Sequence, residues 1–324
     1  MSRSRSLSVA TGPYAPSAPA RTLTAVSADG APLHVEVHGP EDAPAVVLSH
    51  GWTCSTAFWA AQIRELAGEH RLIAYDQRGH GRSPASPACT TDALADDLEA
   101  VLALTLAPGE KALVVGHSMG GMTVMAAAAR PRFREHAAAV LLCSTGSSRL
   151  VAESLVVPLR AGRTRTWITG RILGSRAPLG PVTPLAMRIL KYGTMGAGSA
   201  PHMVEACARI VHACPRAVRH AWAGVLAALD LDHGVRQLQV PTAVLHGACD
   251  RLTPPVHARA LADALPHCVG LTELPGVGHM TPIEAPGQVT ARIRELVTTH
   301  VTGTTTGTVT GSRSTPVQDI KEGA

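Results

Sequence analysis

Gly116-His-Ser-Met-Gly-Gly121 follows the apolar run Lys111-Ala-Leu-Val-Val115 and precedes Met122-Thr-Val-Met-Ala-Ala-Ala-Ala129. A strand-like run stops there and a helix-like run starts, with one serine held between glycines. The spacing G-x-S-x-G at such a junction predicts a sharp turn. Gly116 and Gly120 flank Ser118 at the two positions where a bulky side chain would clash. Ser118 then sits at an exposed, strained point above a helix N-terminus, which favours developing negative charge. A serine hydroxyl is a weak nucleophile at neutral pH. It needs a base, a third group to orient that base, and amide donors for the oxyanion that forms on an attacked carbonyl.

The rest of the chain offers these groups. Thr242-Ala-Val-Leu-His-Gly-Ala-Cys-Asp250 reads as a strand running into a turn, so Asp250 falls just past a strand's carboxyl end. Gly270-Leu-Thr-Glu-Leu-Pro-Gly-Val-Gly-His279 reads as another strand and loop, so His279 falls past a second such end. In a parallel sheet these ends share one edge, where open α/β folds build their sites. Asp230 and Asp232 precede the strand and sit at the wrong end. Cys143-Ser-Thr-Gly146, after the preceding strand, carries no carboxylate. Among the other histidines, His117 lies within the turn and is expected to pack behind it. His50 and His80 are expected to orient backbone. His246, the strongest rival to His279, lies in or at the end of a strand. Asp76 and Arg78 are expected to brace the turn after their own strand.

Bulk composition narrows the class. The chain has 324 residues, 45% hydrophobic and 16% charged, which fits a packed globular body. Aromatics make up only 3%, so the core must be built from Ala, Val and Leu. The net charge of +5 comes from scattered basic residues with no nucleic-acid-binding motif, so no nucleic-acid partner is expected. Seven cysteines, at 54, 89, 143, 207, 214, 249 and 268, include no C-x-x-C and read as buried free thiols. His202, His212, His220 and His233 lack metal-site spacing, and no metal or cofactor is expected. Arg160, Arg163, Arg165, Arg171 and Arg176 flank Trp167 and Ile168 and read as a solvated polar face. The N-terminus has no apolar run of a secretory signal, and no run is long enough to span a membrane, which predicts a cytoplasmic protein.

Strand patterns fall at 22–26, 33–38, 45–49, 72–75, 112–115, 138–143, 242–246 and 270–273. Helical patterns fall at 56–69, 92–104, 118–130, 255–264 and 288–300. Several of the later strands are uniformly apolar, as strands covered by helices on both faces are, while the first two alternate and suit an antiparallel edge. The rhythm predicts an α/β fold with a doubly wound, mostly parallel sheet. It breaks at 144–239, where helical stretches at 203–213 and 217–229 and several Gly/Pro breaks predict a helical cap inserted between core segments 22–143 and 240–301. The Ser/Pro/Ala-rich stretch 1–21 and the Thr/Gly-rich stretch 302–324 read as disordered tails.

Four motifs stand in order: His50-Gly51-Trp52, Asp76-Gln-Arg-Gly-His-Gly-Arg-Ser83, Gly116-His-Ser-Met-Gly120 and the Asp250/His279 pair. Together they resemble the α/β-hydrolases that carry a lid, a group including serine esterases, lipases and cofactor-free perhydrolases. The resemblance spans about residues 22–300. It implies Ser118 as nucleophile, His279 as general base and acid, and Asp250 as the group that fixes the imidazole. It implies the backbone N–H groups of Trp52 and Met119 as the oxyanion hole, with both side chains lining the pocket.

Serine rather than aspartate at position 118 disfavours ring-opening through an alkyl-enzyme ester. Hydrolysis of a carboxylic ester through an acyl-enzyme is the expected reaction, on a small molecule with an apolar acyl or alcohol group. Perhydrolysis or carbon–carbon bond cleavage with the same three residues, or a low-turnover ligand receptor, are the alternatives. The substrate itself and the oligomeric state are not legible at this level.

Overall fold

A computed structural model of the chain describes residues 12–180 and 182–303. Most of the two expected tails, at 1–11 and 304–324, lies outside the described residues. Eight strands form one sheet: β1 (Arg21–Val26), β2 (Pro32–His38), β3 (Ala45–Ser49), β4 (Arg71–Tyr75), β5 (Ala112–His117), β6 (Ala137–Cys143), β7 (Thr242–Gly247) and β8 (Cys268–Leu274). Their order is β1-β2-β4-β3-β5-β6-β7-β8. β1 and β2 pair antiparallel, β2 pairs antiparallel with β4, and every later pairing is parallel. The alternating first two strands therefore form the antiparallel edge that their pattern predicts.

Strands β3 to β7 are nearly all buried because apolar layers cover both faces. Successive side chains point to opposite faces. Val47, Ile73 and Val114 accordingly join one core with Leu94, Leu98 and Met122. Their neighbours Val46, Leu48, Leu72, Leu113 and Val115 join the other, with Ile63, Val289 and Ile293. β8 closes the sheet as an edge and is exposed over most of its length.

Helices differ from the sequence pattern mainly at their ends. Thr56–Trp59 is a 3-10 turn that runs into the helix Ala60–Leu66. The helix after the serine spans Met119–Ala127, with Ser118 itself outside it, and Pro131 starts a separate helix, Pro131–His136. Between β6 and β7 the described residues form helices and loops, with one isolated bridge between Ser148 and Asp230. Pro201–Ala213 and Arg216–Ala227 match the helical patterns there; Arg163–Leu173 and Pro184–Thr194 were hidden by flanking Gly and Pro. Arg165 departs from the solvated face expected of it: it is buried and donates to the Ala152 carbonyl at 2.7 Å. The cysteines are free, but Cys89 is only half-buried, and Cys249 and Cys268 are exposed because they lie on the β7 turn and the β8 edge.

Register brings the strand ends level. Ser49 pairs with Gly116, His117 with Cys143, Cys143 with Leu245, and Gly247 with Leu274. The chain leaves β3 toward β4 on one side and returns to β5 on the other. The crevice at such a reversal is where open α/β sheets bind ligands.

Candidate active site

Ser118 stands at this crevice with φ 51° and ψ −117°, between β5 and the helix Met119–Ala127. A positive φ is a strained state for a serine. The turn survives because its surroundings leave no alternative. A Cβ on Gly120 would lie 2.0 Å from the Ser49 carbonyl oxygen, and one on Gly116 would lie 2.6 Å from the Gly120 carbonyl oxygen. The helix is thus pressed onto the end of β3, and the Ser118 amide donates to the Cys143 carbonyl at 3.0 Å. Thr53 and Ser144 also have positive φ on this edge, at 65° and 44°.

His279 and Asp250 meet here. His279 Nδ1 is 2.7 Å from Asp250 Oδ2, and both side chains are buried. Asp250 Oδ1 accepts the Leu252 and Thr253 amides at 2.8 and 2.9 Å. Burial alone would raise the Asp250 pKa. The neighbouring His279 charge and the His246 and His279 hydrogen bonds overcome it and hold the carboxyl well below the usual range. His279 and Ser118 line one cavity. Among the described residues neither Ser118 Oγ nor His279 Nε2 has a hydrogen-bond partner, so no bond joins the two.

Two backbone amides are also free. Among the described residues the N–H groups of Trp52 and Met119 have no acceptor, although Thr53 donates to His80 Nε2 at 3.2 Å and Ser118 is bonded as above. Free donors flanking a nucleophile are what an oxyanion needs. Trp52 lines the cavity. Met119 does not: its side chain is fully buried in the core with Val114 and Met122, because the helix turns its first residue toward the sheet.

Histidines fix the surrounding loops. His50 Nε2 accepts the Gln77 amide at 3.0 Å while Nδ1 donates to the Gly51 carbonyl at 2.8 Å. His80 Nδ1 donates to the Arg78 carbonyl at 3.1 Å. Burial lowers the His50 pKa to about 4 and that of His80 to about 3, so both rings stay neutral and can accept from backbone. His117 is buried and donates through Nε2 to the His279 carbonyl at 2.9 Å, but it also lines the cavity of Ser118 and His279 rather than lying wholly behind the turn, because it neighbours the His279 loop. Asp76 braces its turn by accepting the Thr56 and Arg82 amides at 2.7 and 2.8 Å. Arg78 reaches Asp97 and Asp29 instead.

Two contributors escape a reading of the sequence. Thr253 Oγ1 lies 2.9 Å from Asp250 Oδ2 and 3.1 Å from His279 Nδ1. Glu284 accepts the Gly278 amide at 3.1 Å and the Met280 amide at 3.0 Å, on either side of His279. It also accepts the Gly196 amide at 2.7 Å and the Ser199 hydroxyl at 2.6 Å. The His279 amide itself donates to the Thr194 carbonyl at 2.8 Å. The loop carrying His279 is therefore tied to the segment 194–199. Only the Asp250-x-x-Thr253 spacing, suited to a side-chain-capped turn, hints at the first of these.

Ser118 lines two hollows. The larger, about 530 Å³, is lined by apolar side chains such as Ile172, Leu179, Ile189, Leu190 and Val211, together with Arg171 and Arg219. The smaller, about 50 Å³, is lined by Met122, Leu150, Ala223 and Leu226, and shares Trp52 and Ser118 with the larger.

A strained serine at the carboxyl end of a doubly wound sheet, beside a His–carboxylate pair and an apolar cavity, defines the hydrolases of this architecture. A family model of the alpha/beta hydrolases matches residues 46–293, and the chain belongs to that family. It is 34% identical over 256 residues to RutD of Variovorax paradoxus (strain S110), named as a putative carbamate hydrolase, covering 76% of this chain and 89% of that one. It is 32% identical over 254 residues to the pimeloyl-[acyl-carrier protein] methyl ester esterase of Chromobacterium violaceum, covering 76% and 91%. Its fold superposes on a thermophilic esterase from Thermogutta terrifontis with a TM-score of 0.69 and 27% identity, covering 86% and 99%. No helix among the described residues is long and apolar enough to cross a membrane.

Proposed function

We propose that the protein hydrolyses a carboxylic ester or a related acyl bond, using Ser118, His279 and Asp250 as nucleophile, base and orienting acid. The observation that carries this is the 2.7 Å contact of Asp250 with His279 Nδ1, which leaves Nε2 open to the cavity that Ser118 also lines. The names of the relatives, a carbamate hydrolase and esterases, agree with acyl chemistry.

Ser118 Oγ attacks the substrate carbonyl as His279 Nε2 takes the hydroxyl proton. This transfer needs the two atoms within about 3 Å, a contact that forms once substrate is bound. The ionised Asp250 keeps the proton of the resting ring on Nδ1 and stabilises the imidazolium that follows. The carbonyl oxygen, now negative, accepts from the Trp52 and Met119 amides. His279 then gives its proton to the departing alcohol, and an acyl-Ser118 ester remains. Water, deprotonated by His279, attacks that ester; the tetrahedral adduct collapses as His279 returns the proton to Ser118 Oγ, and the acid leaves. The stretch 144–239 acts as a cap, since its residues 171–179 and 189–194, with Val156, Val211 and Arg219, contribute most of the larger cavity's wall.

A fluorophosphonate probe together with turnover of p-nitrophenyl butyrate tests the assignment. Labelling is expected on Ser118 alone, with Ser118→Ala and His279→Ala each lowering kcat by a factor on the order of a thousand or more. Retained activity in His279→Ala would break the relay. Labelling without repeated turnover would favour a ligand receptor.

A further inference from the structure

Arg219 sits on the helix Arg216–Ala227, yet it is only 7% exposed. Its carbonyl accepts the Trp52 indole N–H at 3.1 Å, which places the residue against the loop bearing the candidate oxyanion donor. Its guanidinium donates to the Ala177 carbonyl, and Ala177 and Arg219 both line the larger cavity. Among the described residues no carboxylate pairs with it. The buried Arg78, by contrast, has Asp97 and Asp29, and Arg71 has Glu110. Arg165 also lacks a carboxylate, but it lines neither hollow at Ser118.

A guanidinium carries five donors and cannot lose its charge, and among the described residues this one has a single neutral acceptor, the Ala177 carbonyl. An anion entering the cavity supplies charge-assisted acceptors for the N–H groups that remain. Among the described residues the larger cavity is lined by two arginines, Arg219 and the exposed Arg171, and by no aspartate or glutamate. The rest of the wall is mostly apolar. Such a chamber matches a ligand with a short apolar chain and one negative end. The small hollow that Ser118 also lines, about 50 Å³, has room for only a few heavy atoms.

We propose that the site takes short-chain half-esters: a small alkoxy group in the minor hollow, an aliphatic chain in the larger cavity, and an ionised carboxylate held by Arg219. This rests on the hydrolase reading of Ser118. Arg219 is then a specificity-determining residue, and Trp52 links it to the reacting centre.

The test is binding to the Ser118→Ala protein, followed by isothermal titration, so that turnover does not enter. The ligands are monomethyl glutarate and monomethyl adipate, each compared with its dimethyl ester. The half-esters are expected to bind at least tenfold more tightly. That preference is expected to fall to within threefold when Arg219→Gln is added and to return in large part with Arg219→Lys. A preference that survives Arg219→Gln overturns the proposal. If that variant does not fold, Arg219→Met reads the same ratio. Absence of any preference in the Ser118→Ala parent overturns the proposal by itself. Half-esters that bind selectively but are not cleaved by the unaltered protein would sink the hydrolase reading and keep the anion site. Cleavage of the diesters with no gain for half-esters would do the reverse.

Discussion

Replacing Glu284 with glutamine removes one carboxylate oxygen and puts an amide N–H₂ in its place, with little change of volume. Oε1 accepts the Gly278 and Met280 amides, while Oε2 accepts the Gly196 amide, the Ser199 hydroxyl and, in part, Gly278. Whichever edge takes the nitrogen, one backbone N–H then faces a donor, that of Met280 on the Oε1 edge or that of Gly196 on the Oε2 edge, while Gly278 keeps the other oxygen or the Ser199 hydroxyl turns to accept. Hydrogen bonds to a charged group are each worth about 1.5–3 kcal/mol, and the half-buried carboxylate argues for the lower end, so the one lost bond costs about 1.5 kcal/mol. In a domain of this size that lowers Tm by about 3 °C, read by calorimetry. The effect on chemistry should exceed the effect on binding, because Gly278 and Met280 bracket His279. A displacement of the imidazole by a fraction of an ångström costs on the order of tenfold or more in rate. The expected result is therefore a fall in kcat and in the rate of fluorophosphonate labelling, with KM changed less than about threefold. Unchanged stability would show that these contacts carry no weight. A lowered Tm with an undiminished labelling rate would refute the role of Glu284 in placing His279.

Two other outcomes follow from the same packing. Gly120→Ala puts a Cβ 2.0 Å from the Ser49 carbonyl oxygen, against backbone that cannot yield, so the variant is expected to be recovered unfolded or at a small fraction of normal soluble yield, measured by circular dichroism and gel filtration. Acid should destabilise the protein early: burial holds His50 near 4 and His80 near 3, below the ordinary value of about 6.5, so only the unfolded chain takes up these protons below that value. Their stabilising effect is complete above about pH 6.5 and is lost as pH falls toward 4, at about 1.4 kcal/mol per pH unit for each ring, and a Tm that stays flat from about pH 6.5 to 5 would contradict it.

Much of the scaffold is legible in the residue order. Uniform apolar runs such as Ala112–Val115 and Thr242–His246 mark strands covered on both faces, and the alternating Leu33–His38 marks the antiparallel edge. G-H-S-M-G encodes the turn at Ser118 because the glycines are needed locally. That Asp250 and His279 lie past strand ends is legible too, since those ends follow from the runs themselves. Helices bordered by Gly and Pro, such as Arg163–Leu173 and Pro184–Thr194, are not, because those residues read as breaks on either side of a short helix.

Spacing and local periodicity are enough to give the kind of fold, the sharp turn and the groups that stand past the strand ends. Packing settles the rest: Met119 points into the core, Thr253 and Glu284 bond around the imidazole loop, and Arg219 lines a cavity in which no described carboxylate answers it. Those facts depend on which distant atoms complete a hydrogen bond or leave a charge unpaired. Trp52 and Arg219 stand 167 residues apart in the chain, and Ser199 and Glu284 stand 85 apart. Such separations carry no information about contact until the elements are packed.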